Sequence, residues 1–208
     1  MAQAGRDVSS AEVARISAAL GAAGRRHDVA EGWAGADLSA AAHRESYLRW
    51  VTAAGVDCVL AEVMYDALCD AADNVFAVDV EPTLGALKAA GVKVAIVSDI
   101  HVDIRPSFVK AGLDTHVDDF VLSFERGACK PDPAIFRIAL DRLGVQPHET
   151  LMVDDRSGHD GAAVEAGITT LLVPPLTHAA HKRLHLVLGA CGVAGVSQAT
   201  GHRSPASA

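Results

Sequence analysis

Residues 151–168 read LMVDDRSGHDGAAVEAGI. The apolar run that begins at Leu151 stops at two adjacent carboxylates, Asp154 and Asp155, so a buried strand is expected over Leu151–Asp155. A helical stretch from Asp160 to Ala166 follows, and then a second Val/Ile/Leu-rich run, Ile168–Val173. Strand, amphipathic helix and strand in succession is the local pattern of a parallel sheet, whose strands are covered on both faces and are therefore apolar throughout. The same texture continues upstream. Val92–Ser98 and Phe120–Ser123 read as strands, and helices are expected over Pro82–Ala90, Arg105–Ala111 and Pro133–Leu143. The expected core is α/β, a doubly wound parallel sheet.

The first third of the chain has a different texture. Ser9 or Ser10 can cap a helix over Ala11–Leu20, and Asp37–Ala54 and Asp57–Ala72 carry apolar residues at three-and-four spacing with no convincing strand. The expected organisation is a short N-terminal remnant (1–9), a helical unit (10–73), the α/β core (74–176), and a weak helix with a disordered tail (177–208), the tail being rich in Ser, Ala, Gly and Thr. A net charge of -8 argues against nucleic acid or anionic membrane as the main partner, and an aromatic content of 4% disfavours base stacking. No apolar run approaches a membrane span. Cys58, Cys69, Cys129 and Cys191 stand singly without a C-x-x-C pair and read as reduced thiols, mostly core. The first residues lack the apolar region of a secretory signal, and a cytoplasmic location is expected.

In a doubly wound sheet the ligand crevice lies at the carboxyl ends of the strands. Here those ends are polar: Ser98-Asp99 closes one strand, Asp154-Asp155 another, and Lys130 stands just before Pro131 at the start of the intervening helix. A hydroxyl, an ammonium and a pair of carboxylates suit a phosphoryl group bound beside Mg²⁺, with hard carboxylate oxygens on the cation. Two adjacent carboxylates at a buried strand end repel each other and are costly without a cation.

Three ordered segments, VAIVSD (94–99), CKPDPAIF (129–136) and the stretch at 151–168, together resemble the second, third and fourth motifs of the haloacid dehalogenase (HAD) superfamily, over about 79–175. The resemblance implies that Ser98 and Lys130 contact phosphoryl oxygens, that Asp155 ligates Mg²⁺ and that Asp160 supports the metal shell. Asp154 stands where the family often has Gly, although an Asp-Asp pair is a familiar version. The helical unit would then be the cap that closes over a small phosphorylated substrate, and the acidic fourth motif points to the Mg²⁺-dependent phosphatase branch. The alternative is a non-catalytic module that binds phosphate and Mg²⁺ or serves as an interaction domain. A receiver-type signalling domain uses similar groups, but there the acidic pair comes first in the chain, whereas here it comes last.

The superfamily's first motif, a strand ending in Asp-x-Asp that supplies the nucleophile and the general acid and base, has no match before the helical unit. A truncated reading frame or a degenerate member is therefore expected, with any true start upstream of Met1. By resemblance that strand is central, so its loss would leave two neighbouring strands without ladder partners. Asn74–Thr83 imitates the motif at Asp79, but too few positions separate Asp79 from Ser98 for the turn and flap that follow a nucleophile, and a connection from helical unit to core is the expected role. His101 and Asp103 are expected on the surface. His178, His181 and His185 are expected on a solvated helix face rather than at a metal, and Trp33 and Trp50 within the packing of the cap.

Overall fold

The computed structural model describes residues 9–70 and 74–193; the N-terminal remnant before residue 9 and the tail from residue 194 lie outside the described residues. α1 (Ser10–Gly24) begins where the Ser9 hydroxyl accepts the Glu12 N–H. After α2 (His27–Gly32) and a 3-10 turn at Ala36–Leu38, α3 (Ala40–Ala53) is capped by Ser39 and α4 (Cys58–Leu68) by Asp57, which accepts the Val59 and Leu60 N–H groups. Each cap satisfies amides that have no partner inside their helix. These helices close on Tyr47, Val51, Val56, Ala61 and Tyr65. Trp33 and Trp50 meet edge to face, and the Trp50 indole donates to the Leu20 carbonyl at 2.9 Å, so both serve packing as expected.

The remainder alternates helix and strand: α5 (Val80–Ala89), β1 (Ala95–Ser98), α6 (Arg105–Lys110), β2 (Asp119–Leu122), α7 (Ser123–Arg126), α8 (Pro133–Leu143), β3 (Leu151–Asp154), α9 (Ser157–Asp160), β4 (Thr169–Leu172) and α10 (Val187–Ala190). α8 shows its local causes plainly. The Asp132 carboxylate accepts the Ala134 N–H, Pro133 fits the first turn, and Gly144 ends the helix at φ +64°, a left-handed conformation that favours glycine.

β1 pairs in parallel with β2, from Ala95–Asp119 to Ser98–Leu122, and β3 pairs in parallel with β4, from Leu151–Thr169 to Asp154–Leu172. The two pairs are not bonded to each other. What joins them is side-chain packing on both faces, following the period-two alternation of a strand. Val97 and Met152 pack against the cluster of Val121, Ile135, Phe136, Leu140 and Ile168, whereas Ile96 and Val153 pack against that of Leu84, Leu87, Phe108, Leu122 and Val187. Between β1 and β3 lies a cavity of about 1090 Å³ lined by residues of both strands.

Several expected boundaries shift. Val92–Val94 do not join the ladder; the Val94 N–H donates instead to the Asp118 carboxylate at 2.8 Å. The helix expected over Asp160–Ala166 is the single turn α9 followed by a 3-10 stretch, Gly161–Ala166. Residues 178–186 are not helical, so His178, His181 and His185 share no helix face. All four cysteines are free thiols, but Cys58 is exposed and the other three half-buried rather than core.

Candidate functional site

β1 delivers Ser98 and β3 delivers Asp154, and these two residues line the inter-strand cavity together with Asp99, Lys130 and Asp155. Lys130 is held at both ends. Its backbone N–H donates to Asp99 Oδ1 at 2.8 Å, and its ammonium, 7% exposed as a residue, donates to Asp154 Oδ2 at 2.7 Å. Asp154 Oδ1 accepts the Asp155 N–H at 2.8 Å, which fixes the carboxylate across the end of β3. A buried ammonium needs a paired, hydrogen-bonded anion, and Asp154 supplies it. In the sequence Asp99 is only part of a polar strand end; in the fold it positions Lys130.

Asp155 meets a residue the sequence did not point to. Arg183 Nη2 donates to Asp155 Oδ2 at 2.9 Å, with both side chains largely buried. Arg183 lies in the irregular segment after β4, which carries no periodic signal. That segment is tied back to the core by the Val78 N–H on the Ala179 carbonyl and by the Leu184 N–H on Asp79 Oδ2, both at 2.7 Å. Asp79 follows no strand. It stands immediately before α5 and anchors the Arg183 segment, in keeping with a connecting role.

Hydrogen bonds thus connect Lys130 to Asp154 and Asp154 to Asp155, and Ser98 lines the same cavity as these three. Asp160 closes α9, and its side chain lies outside the described residues. The carboxylates of Asp154 and Asp155 have the hard oxygen chemistry that Mg²⁺ requires, with Lys130 and Arg183 each holding one oxygen of the pair. Arg183 already balances the charge of Asp155, so a cation there competes with the guanidinium.

His101 departs from the expected surface position. It is half-buried and stacks on His43 of α3, with ring centroids 3.3 Å apart. Asp103 does stay exposed, paired with Arg105 at 3.0 Å.

A family model for haloacid dehalogenase-like hydrolases matches residues 3–167. The chain belongs to that family. Among HAD relatives, it is 35% identical over 96 residues to (S)-2-haloacid dehalogenase 4A of Burkholderia cepacia, and 37% identical over 97 residues to a glyceraldehyde 3-phosphate phosphatase of Methanopyrus kandleri. Each match covers 46% of this chain and 42% of the relative, so the chain matches less than half the length of either protein. The crystal structure of a 2-haloacid dehalogenase from Pseudomonas syringae superposes with a TM-score of 0.53 over 80% of each chain at 22% identity, a likeness of fold. The α/β core with parallel strands and an N-terminal helical cap agrees with this family. No helix among the described residues is long and apolar enough to cross a membrane.

Proposed function

We propose that the chain is part of a cytoplasmic, Mg²⁺-dependent phosphatase acting on a small phosphorylated substrate, and that its site is completed by one further apolar strand seated between β1 and β3. The observation that carries this reading is the cavity itself. It runs along both β1 and β3, which belong to separate parallel pairs, and its lining includes Ser98, Lys130, Asp154 and Asp155 at their carboxyl ends. The Ser98 hydroxyl donates to one phosphoryl oxygen. The Lys130 ammonium, already oriented by Asp99 and Asp154, offsets the charge that develops on another, an electrostatic contribution that needs no reorganisation during reaction. Asp155 and Asp154, supported by Asp160, would hold Mg²⁺, which when bound supplies further charge neutralisation. A carboxylate at the end of the seated strand would stand in line for attack on phosphorus, the positioning on which the other groups depend.

The test compares the 208-residue chain with the same chain fused to an apolar strand ending in Asp-x-Asp, using p-nitrophenyl phosphate as substrate. The expected result is no appreciable turnover by the chain alone. The fusion should show turnover that requires Mg²⁺ and is lost in Asp155→Asn. A fusion that seats its strand yet remains inert indicates a non-catalytic module, and turnover of a 2-haloacid without Mg²⁺ indicates dehalogenase chemistry. Turnover by the unfused chain that Asp79→Asn abolishes makes Asp79 the nucleophile. Each of these outcomes overturns the proposal.

A further inference from the structure

A second cluster of chemically active side chains lies between the helical cap and the sheet. One nitrogen each of His43 on α3 and His101 in the loop after β1, and a carboxylate oxygen of Asp37 in the 3-10 turn, all fall within 4.8 Å of one another. His43 is 6% exposed, and its Nδ1 is buried without a hydrogen-bond partner, as is His101 Nε2. Two buried, unsatisfied ring nitrogens beside one carboxylate form an arrangement that folding alone does not favour. The backbone around them is pinned. Fully buried Ser123 accepts the Ile100 N–H at 2.9 Å, and its hydroxyl lies 2.6 Å from the Asp37 carbonyl, so one side chain ties the loop carrying His101 to the turn carrying Asp37.

We propose that Asp37, His43 and His101 bind a borderline first-row transition cation, with Zn²⁺ as the representative, and that the ion joins the cap to the core. Two imidazole nitrogens and one carboxylate oxygen form a donor set for such an ion, with a fourth position left for water or a ligand, whereas Mg²⁺ prefers oxygen alone. Burial holds both imidazoles below the usual histidine range, which leaves their lone pairs free at neutral pH. An anion is the wrong guest, because the Asp37 charge would oppose it. The rings are parallel to within 1°, and a lone pair lies in the plane of its ring, so binding turns one imidazole out of the stack. The site shares no ligand with Asp154 and Asp155 and does not depend on the phosphatase reading.

The experiment titrates the full chain, stripped with a chelator, with Zn²⁺ in excess Mg²⁺ against a chromophoric competitor, and repeats the titration with Co²⁺ to read its visible bands. One Zn²⁺ per chain is expected. His101→Asn and Asp37→Asn should each weaken binding by about tenfold or more, comparable to or beyond the loss of an outer-shell partner. Asp155→Asn should leave it within about twofold, at the scale of experimental scatter for a site that shares no ligand. The intense Co²⁺ bands of a tetrahedral site should disappear in His101→Asn. Thermal unfolding of each metal-free variant verifies the fold, and Asp37→Asn keeps the carbonyl that Ser123 faces. The absence of saturable Zn²⁺ binding overturns the site, as does binding that survives both substitutions or that disappears with Asp155→Asn or His181→Asn.

Discussion

The two halves of the sheet differ in how well they are covered. In the β1–β2 half the outer strand is the deeper one: Val121 and Leu122 of β2 are 0% exposed, while every residue of β1 is half-buried. This half is also tied down at its rim, by a bidentate Arg105–Glu125 pair and by Arg142 on Asp119. The β3–β4 half has thinner cover. β3 is half-buried throughout, Leu172 of β4 is 48% exposed, and the connection between the strands is one helical turn and a 3-10 stretch. A doubly wound sheet normally buries its inner strands most. The inversion holds for β1 alone, since β4 is more exposed than β3, and the half-buried β1 and β3 both line the cavity where the polar strand ends meet.

The largest expected effect breaks the link between the halves. Phe136, 1% exposed, belongs to the cluster that packs against both β1 and β3, and Phe136→Ala should cost about 3–5 kcal/mol in denaturant unfolding. Val153→Ala should cost less than half as much, because it removes two methyl groups rather than a ring, from a half-buried position on the same cavity. Equal losses would show that the space is packed in solution.

Next comes the charge at the opening. Lys130→Met leaves Asp154 without its 2.7 Å partner and should lower stability by roughly 1–3 kcal/mol, discounted because Asp154 is partly exposed. Inorganic phosphate should protect the wild type against heat and should not protect this variant.

Acid should act on the cap side. Burial, reinforced by the charge of His101 and opposed by that of Asp37, holds His43 down to about 4 from 6.5. The unfolded chain therefore binds the proton first, and stability falls as pH drops through that window, by a few kcal/mol at most. His43→Asn, measured with chelator present, should flatten the decline between pH 6.5 and 4. An unchanged slope would remove His43 from the decline; the paired carboxylates Asp118, Asp119 and Glu125, held below their ordinary values by their arginine and lysine partners, lose their contribution only at lower pH.

The smallest expected effect is on the cation. Arg183→Gln removes the competitor at Asp155 and should tighten Mg²⁺ binding several-fold by calorimetry, while weaker binding would mean that Arg183 shapes the site rather than occupying it.

The core was legible where local chemistry decides structure. The four apolar runs coincide with the strands, and the helix expected over Pro133–Leu143 is α8 to the residue. Ser98 and the Asp154-Asp155 pair were legible as polar ends of apolar strands, and Lys130 through the resemblance of the three ordered segments to the HAD motifs. Arg183 was not, because the segment after Pro174-Pro175 has no periodicity and is placed by the contacts of Asp79 and Ala179. The His43–His101 stack was also hidden, since it exists only once α3 docks against the loop after β1.

Hydrogen exchange on the strand fusion tests most directly whether the cavity is the seat of a strand. Slower exchange is expected at amides of both Ala95–Ser98 and Leu151–Asp154 relative to the unfused chain, because a parallel strand seated between β1 and β3 bonds to both edges. Unchanged exchange at both strands, or protection of only one, would contradict a site assembled from two half-sheets around a shared strand.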